Sequence, residues 1–128
     1  MGAITRRAVQ PASLFDAASM GFSQGVVVDG VVYVSGQVSR AEGLAAQVTE
    51  AWAAVLDVVA EAGGDASGIA KVTVYTLDET TWSHLRPLIE ASVGPPYPAA
   101  TMVKVVGLAS PEFLVEIEAV AHVAMGPS

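Results

Sequence analysis

The run Gly25 to Gln37, GVVVDGVVYVSGQ, constrains the fold of this chain more than any other stretch. Two β-branched runs meet there at Asp29-Gly30, a dipeptide suited to the positive φ angles of a two-residue hairpin turn. The rest of the sequence has to supply partners for this hairpin and a layer to cover it.

Downstream, Leu44, Val48, Ala51, Trp52, Val55 and Val59 recur at three- and four-residue intervals, which predicts an amphipathic helix from Leu44 to Ala62 ended by Gly63-Gly64. Gln47, Glu50, Asp57 and Glu61 are expected to face water or a neighbouring subunit. Ile69 to Leu77 alternates Val72 and Val74 with Lys71, Thr73 and Tyr75, a period-two strand with one face more polar than the other. Asp78 to Thr81 reads as an N-cap region. A second helix follows from about Trp82 to Val93, with Pro87 tolerated best if it lies in the first turn. Gly94-Pro95-Pro96-Tyr97-Pro98 marks a loop. Two more strands are expected at Thr101 to Val106 and Phe113 to Val123, and a short one near Ile4 to Val9. The order predicts an α+β fold, a mostly antiparallel sheet with both helices on one face.

The last strand says something about the other face. Val115, Ile117, Ala119 and Ala121 form an apolar set, so Glu116, Glu118, Val120 and His122 project from the opposite side. The neighbouring strands offer Val26, Val28, Val32, Val34, Met102 and Val106, a supply too apolar for open solvent on both faces. Part of the second face is therefore expected to pack on other subunits, in keeping with 52% hydrophobic and only 15% charged residues.

Several function classes are disfavoured by composition. A chain of 128 residues suits one domain, here 1–128. Its net charge of −7, with only Arg6, Arg7, Arg40, Lys71, Arg86 and Lys104 positive, provides no basic stripe for a nucleic acid. With no cysteine there is no thiolate nucleophile and no Cys-based zinc site. His84 and His122 lack acidic partners at a zinc-binding spacing, so no metal is expected. No apolar run is long enough for a membrane span or a signal peptide, which makes a cytoplasmic location the default.

Four motifs taken together, Phe22-Ser23-Gln24-Gly25-Val26, Val34-Ser35-Gly36-Gln37-Val38, Lys71-Val72-Thr73-Val74-Tyr75 and Val115-Glu116-Ile117-Glu118-Ala119, resemble the Rid/YjgF family of reactive-intermediate deaminases over nearly the whole chain. The resemblance implies a chorismate-mutase-like fold of about six strands and two helices, and a homotrimer whose sheets form a central barrel. It also implies small-molecule clefts between subunits. Active members hydrolyse 2-imino or enamine acids to 2-keto acids and ammonia without a cofactor.

That family's deaminating members carry an arginine just after a Pro-Ala pair, where this chain reads Pro98-Ala99-Ala100-Thr101. Ala100 thus replaces a carboxylate clamp, and a methyl group makes no charge-assisted hydrogen bond. Gly21-Phe22-Ser23 lacks the proline and the aromatic hydroxyl of the corresponding family segment, and Arg86 stands where many members have an asparagine. The family's water-positioning acid is retained as Glu116, with Ser35 and Gly36 on the expected pocket wall. The resemblance therefore implies Glu116 as catalytic acid or base, and Phe22, Ser35, Gly36, Arg86, Ala100, Thr101 and Glu118 as substrate-binding positions, with a changed substrate.

Competing readings weaken several of these assignments. Glu116 and Glu118 are equally at home facing the wet interior of a trimer barrel. Arg86 reads more readily as a solvated helix residue than as a cation swung into the cleft. A Glu-His relay through His122 would need different subunits, because residues six apart on a strand are about 20 Å apart. Trp52 and Trp82 occupy packing positions, and Ser35 lacks the partners of an activated nucleophile. A tailoring enzyme catalysing cyclisation, dehydration or hydrolysis at the same cleft, and a non-catalytic trimer that binds a metabolite or a partner, are the alternatives to an imine hydrolase.

Overall fold

Asp29 and Gly30 adopt φ angles of +50° and +76°, as a tight hairpin requires, in a computed structural model that describes residues 2–124. The two ends of the expected 1–128 domain lie outside those residues. Six strands form, β1 (Arg7–Val9), β2 (Gly25–Val28), β3 (Val31–Gln37), β4 (Ile69–Thr76), β5 (Ala99–Lys104) and β6 (Val115–His122), with helices α1 (Leu44–Glu61) and α2 (Thr81–Ser92). They build one sheet in the order β1-β2-β3-β6-β4-β5. All neighbours are antiparallel except β4 and β5.

Helix α1 lies across the sheet because its apolar stripe matches the apolar parity of the central strands. Val48, Val55, Val58 and Val59 meet Val32, Val72, Val74, Val115 and Ile117 in one core. Helix α2 adds Leu85 and Ile89 to that core and is tied to α1 where Trp52 Nε1 donates to Ser92 Oγ at 3.0 Å. Gly63 ends α1 with a φ of +97°, a conformation that disfavours any side chain. The α+β class and the two helices on one face are as the sequence predicts.

Three local expectations need correction. The strand expected at Thr101 to Val106 starts at Ala99, ends at Lys104 and runs parallel to β4. Every residue of β5 is exposed, so its side chains carry no burial pattern, and backbone pairing alone sets its limits. β6 inserts between β3 and β4, which leaves β5 at the edge. Pro87 lies in the second turn of α2 rather than the first, at an exposed position where water can satisfy the carbonyl of Ser83 that loses its helical partner. Gln47 does not face water: it is 2% exposed and belongs to the interior.

Candidate functional site

The site begins with a break in strand parity. Along β3, Val32 and Val34 point into the core, so an unbroken strand would turn Gln37 outward. Between Val34 and Gln37 the register with β6 shifts: Val34 faces Ala119, and Gln37 faces Ile117. One extra residue on β3 makes a bulge, which buries Gln37 and leaves both Ser35 and Gly36 off the core side. Gly36 lies against the carboxyl group of Glu116, and any side chain there would collide with it. The bulge and the glycine together make room for that acid.

Glu116 opens into a cleft of about 790 Å³ lined by Phe15, Met20, Phe22, Ser35, Gly36, Val38, Arg40, Ala109, Ser110, Phe113 and Glu116. Phe15 and Phe22 meet edge to face with ring centroids 5.9 Å apart and form one apolar wall. Ser35 is held in place, its hydroxyl donating to the Ser23 carbonyl at 2.6 Å and its amide to the Gln24 carbonyl at 2.9 Å. Burial, and secondarily the charge of Glu118, pushes the pKa of Glu116 above the usual carboxyl range. The shift favours the protonated carboxyl over what a free glutamate would hold, the direction suited to a group that donates a proton.

All four glutamines of the chain brace this cleft. Gln10 Nε2 donates to the carbonyls of Pro11, Leu14 and Phe15, at 3.0, 3.1 and 2.9 Å. Gln24, itself buried, donates to the Phe15 carbonyl at 3.1 Å and accepts from Gln37 Nε2 at 3.0 Å. The segment carrying Phe15, Met20 and Phe22 has little regular structure of its own, so these amides substitute for a ladder. Gln47 does the same on the opposite wall: its Nε2 donates to the carbonyls of Ala41 and Glu112, at 3.0 and 2.8 Å, and its Oε1 accepts from the Leu114 amide at 2.8 Å.

That second wall carries Arg40. Its guanidinium lies 4.9 Å from the centre of the Phe113 ring and is paired with Glu112. Sequence reasoning assigned Arg40 no role, because a lone charged residue after a strand has no distinguishing local signal. Gln47 did leave one: three residues after Leu44 and four before Ala51, it falls on the apolar stripe of α1.

The remaining candidate residues lie elsewhere in the chain. Glu118 neighbours Glu116 on the same side of β6 and accepts a hydrogen bond from Tyr75, which raises the pKa of that phenol. Ala100 and Thr101 are on β5, two strands from β6, and the Thr101 hydroxyl accepts from Lys71 Nζ at 2.6 Å. Arg86 lines a separate groove of about 270 Å³ with Trp82, Ile89, Glu90, Tyr97 and Pro98, and pairs with Glu90 at 3.4 Å. His84 is half-buried and His122 exposed. One chain thus gathers Phe22, Ser35, Gly36 and Glu116 but not Arg86, Ala100 or Thr101. Among the described residues no helix is long and apolar enough to cross a membrane.

The model of a protein family described as Endoribonuclease L-PSP matches residues 13–123. Among solved structures, the chain is similar to Rv2704 of Mycobacterium tuberculosis, a member of the YjgF/YER057c/UK114 family, at 28% identity and a TM-score of 0.81, over 93% of this chain and 100% of that one. It is similar to PA3499 of Pseudomonas aeruginosa, a protein of unknown function, at 27% identity and a TM-score of 0.84, covering 94% of each. RidA of an Antarctic Psychrobacter is 27% identical with a TM-score of 0.78, over 91% of this chain and 99% of that one. No curated protein matches the sequence.

Proposed function

The chain belongs to the Endoribonuclease L-PSP family, the YjgF/Rid family, and from that premise we propose that it is a cofactor-free enzyme hydrolysing an imine, enamine or related reactive intermediate. The observation that carries this reading is the partly buried Glu116 carboxyl, raised in pKa, beside Gly36 and Ser35 in a cleft walled by Phe15 and Phe22. In its protonated form Glu116 donates to the imine nitrogen and makes the carbon electrophilic. The resulting carboxylate accepts a proton from the attacking water, giving a carbinolamine. Returning that proton to the amine makes it a leaving group; as the C–N bond breaks, the carbinol hydroxyl gives its proton back to the Glu116 carboxylate, so one imine and one water become one carbonyl compound and one ammonia with the acid regenerated.

Ala100 sets the substrate apart from an ordinary short 2-imino acid, because its methyl group cannot clamp a carboxylate. The proposal includes a homotrimer in which the open edge at β5 and the exposed Met102, Val103 and Val106 meet a second copy next to the cleft. RNA is a poor fit as substrate: the net charge is −7, and Arg40 alone among the described residues lining the cleft is cationic, which offers a phosphate backbone no counterion-releasing surface.

Ammonia release from freshly generated 2-imino acids and from neutral imines tests the reading. Glu116→Gln should lower turnover by about a hundredfold or more, and Ala100→Arg should raise turnover of the short 2-imino acids. Wild-type protein that leaves every imine at its uncatalysed rate overturns the proposal, as does a fully active Glu116→Gln variant.

A further inference from the structure

We propose that Arg40 is the specificity residue of this cleft, binding an anionic group of the substrate, so that the chain selects acids from the Phe113 wall rather than from β5. The inference rests on the imine-hydrolase reading for what the substrate is converted to, but not for what Arg40 recognises.

Two features of the structure support it. Arg40 is the one cation among the described residues that line the cleft, and the remaining lining is apolar or neutral apart from Glu116. A small-molecule site of this kind orients its ligand through a few convergent polar groups on an apolar lining. The guanidinium, though exposed, is also held by partners. It stacks on the buried Phe113, and the loops on either side of it are joined by Gln47, which hydrogen-bonds Ala41 next to Arg40 and both Glu112 and Leu114 around Phe113. A surface ion pair does not need a fully buried amide to hold its two loops together, whereas a recognition site needs its cation fixed in direction.

Glu112 then acts as the resident occupant of Arg40. The pair is exposed, with side-chain exposures of 69% and 42%, so an incoming anion can reach it, and Ser110 Oγ donates to the other Glu112 oxygen at 2.7 Å. An incoming carboxylate exchanges one anion for another on the guanidinium, and Glu112 keeps a hydrogen-bond partner in Ser110 when displaced. Removing the resident carboxylate should therefore tighten binding of an acid, while removing the cation should weaken it. A purely structural ion pair would respond in the same direction to both changes.

Binding of 2-oxobutanoate and 2-oxoglutarate, with 2-oxobutanamide as neutral control, tests this by calorimetry or NMR titration of the full chain. We expect saturable binding of an acid but not of the amide. Arg40→Gln should weaken it roughly tenfold or more, Arg40→Lys should recover part of the loss, and Glu112→Gln should strengthen it several-fold. Arg40→Gln binding like the wild type overturns the inference, as does weakening by Arg40→Gln and Glu112→Gln alike. Absence of saturable acid binding by the wild type also overturns it. Imine turnover that depends on Glu116 would in each case leave the hydrolase reading standing, and Glu116→Gln protein that still binds the acids separates recognition from chemistry.

Discussion

The cleft at Glu116 and the groove at Arg86 both place an arginine beside aromatic rings, yet they are built differently. The walls of the first are tied together by four glutamine side chains, two of which, Gln24 and Gln47, are only 2% exposed. In the second, Arg86 is bound to its surroundings by one exposed pair with Glu90, a single helical turn away. Burying amides is costly unless every donor and acceptor is satisfied, and no buried side-chain nitrogen or oxygen among the described residues lacks a partner. The difference teaches which concavity is held to a shape. A groove lined by residues of one helix and its following loop can deform at little cost, while a cleft between three otherwise irregular segments persists only if something pins them.

The largest effect should follow from unpinning. Gln47→Leu leaves the Ala41 and Glu112 carbonyls and the Leu114 amide without their partner, and should destabilise the fold by about 3 kcal/mol. Chemical denaturation reads this directly, and a loss below about 0.5 kcal/mol would break the contrast between the two concavities. Next comes Gly36→Ala, whose methyl group must swing the flexible Glu116 carboxyl aside; a destabilisation of about 1 kcal/mol is expected, together with loss of imine turnover. Unchanged melting and turnover would show that the bulge is not what shapes the site.

A smaller and opposite effect is expected at Glu116 itself. Its pKa is raised in the folded chain, so the folded state holds this proton more tightly than the unfolded state does. Stability attributable to this group is therefore present at low pH and is lost as pH climbs from the ordinary carboxyl range through the raised value. Glu116→Gln should raise the melting temperature at pH 7.5 and leave it nearly unchanged at pH 4, the reverse of what loss of a stabilising ion pair would do. The smallest effect belongs to the groove: Arg86→Ala removes an exposed pair and should change stability by no more than about 0.5 kcal/mol, with imine turnover intact. A collapse of turnover in that variant would move the functional centre to α2.

The hairpin, α1 and the alternation of β6 were legible in the sequence because each signal is local. Asp29-Gly30 specifies its own turn, the stripe Val48 to Val59 repeats within one helix, and the parity of Val115 to Ala121 places Glu116 and Glu118 opposite the core whatever the neighbouring strands are. By contrast, β5 was misplaced by two residues because a fully exposed edge strand has no buried face to announce its limits. Its parallel pairing was equally invisible, being a matter of which strand it lies beside.

The site divides along the same line. Sequence alone determined, through period-two alternation, that an acid projects from the non-helical face of a strand, and the family resemblance implied a Ser-Gly pair beside it. Only the tertiary structure decided that the Ser35-Gly36 bulge shifts β3 by one residue, that Gln47 turns inward and that Arg40 reaches the same cleft as Glu116. Those outcomes depend on contacts between residues far apart in the chain, whose hydrogen bonds are specified by packing and not by neighbours in sequence.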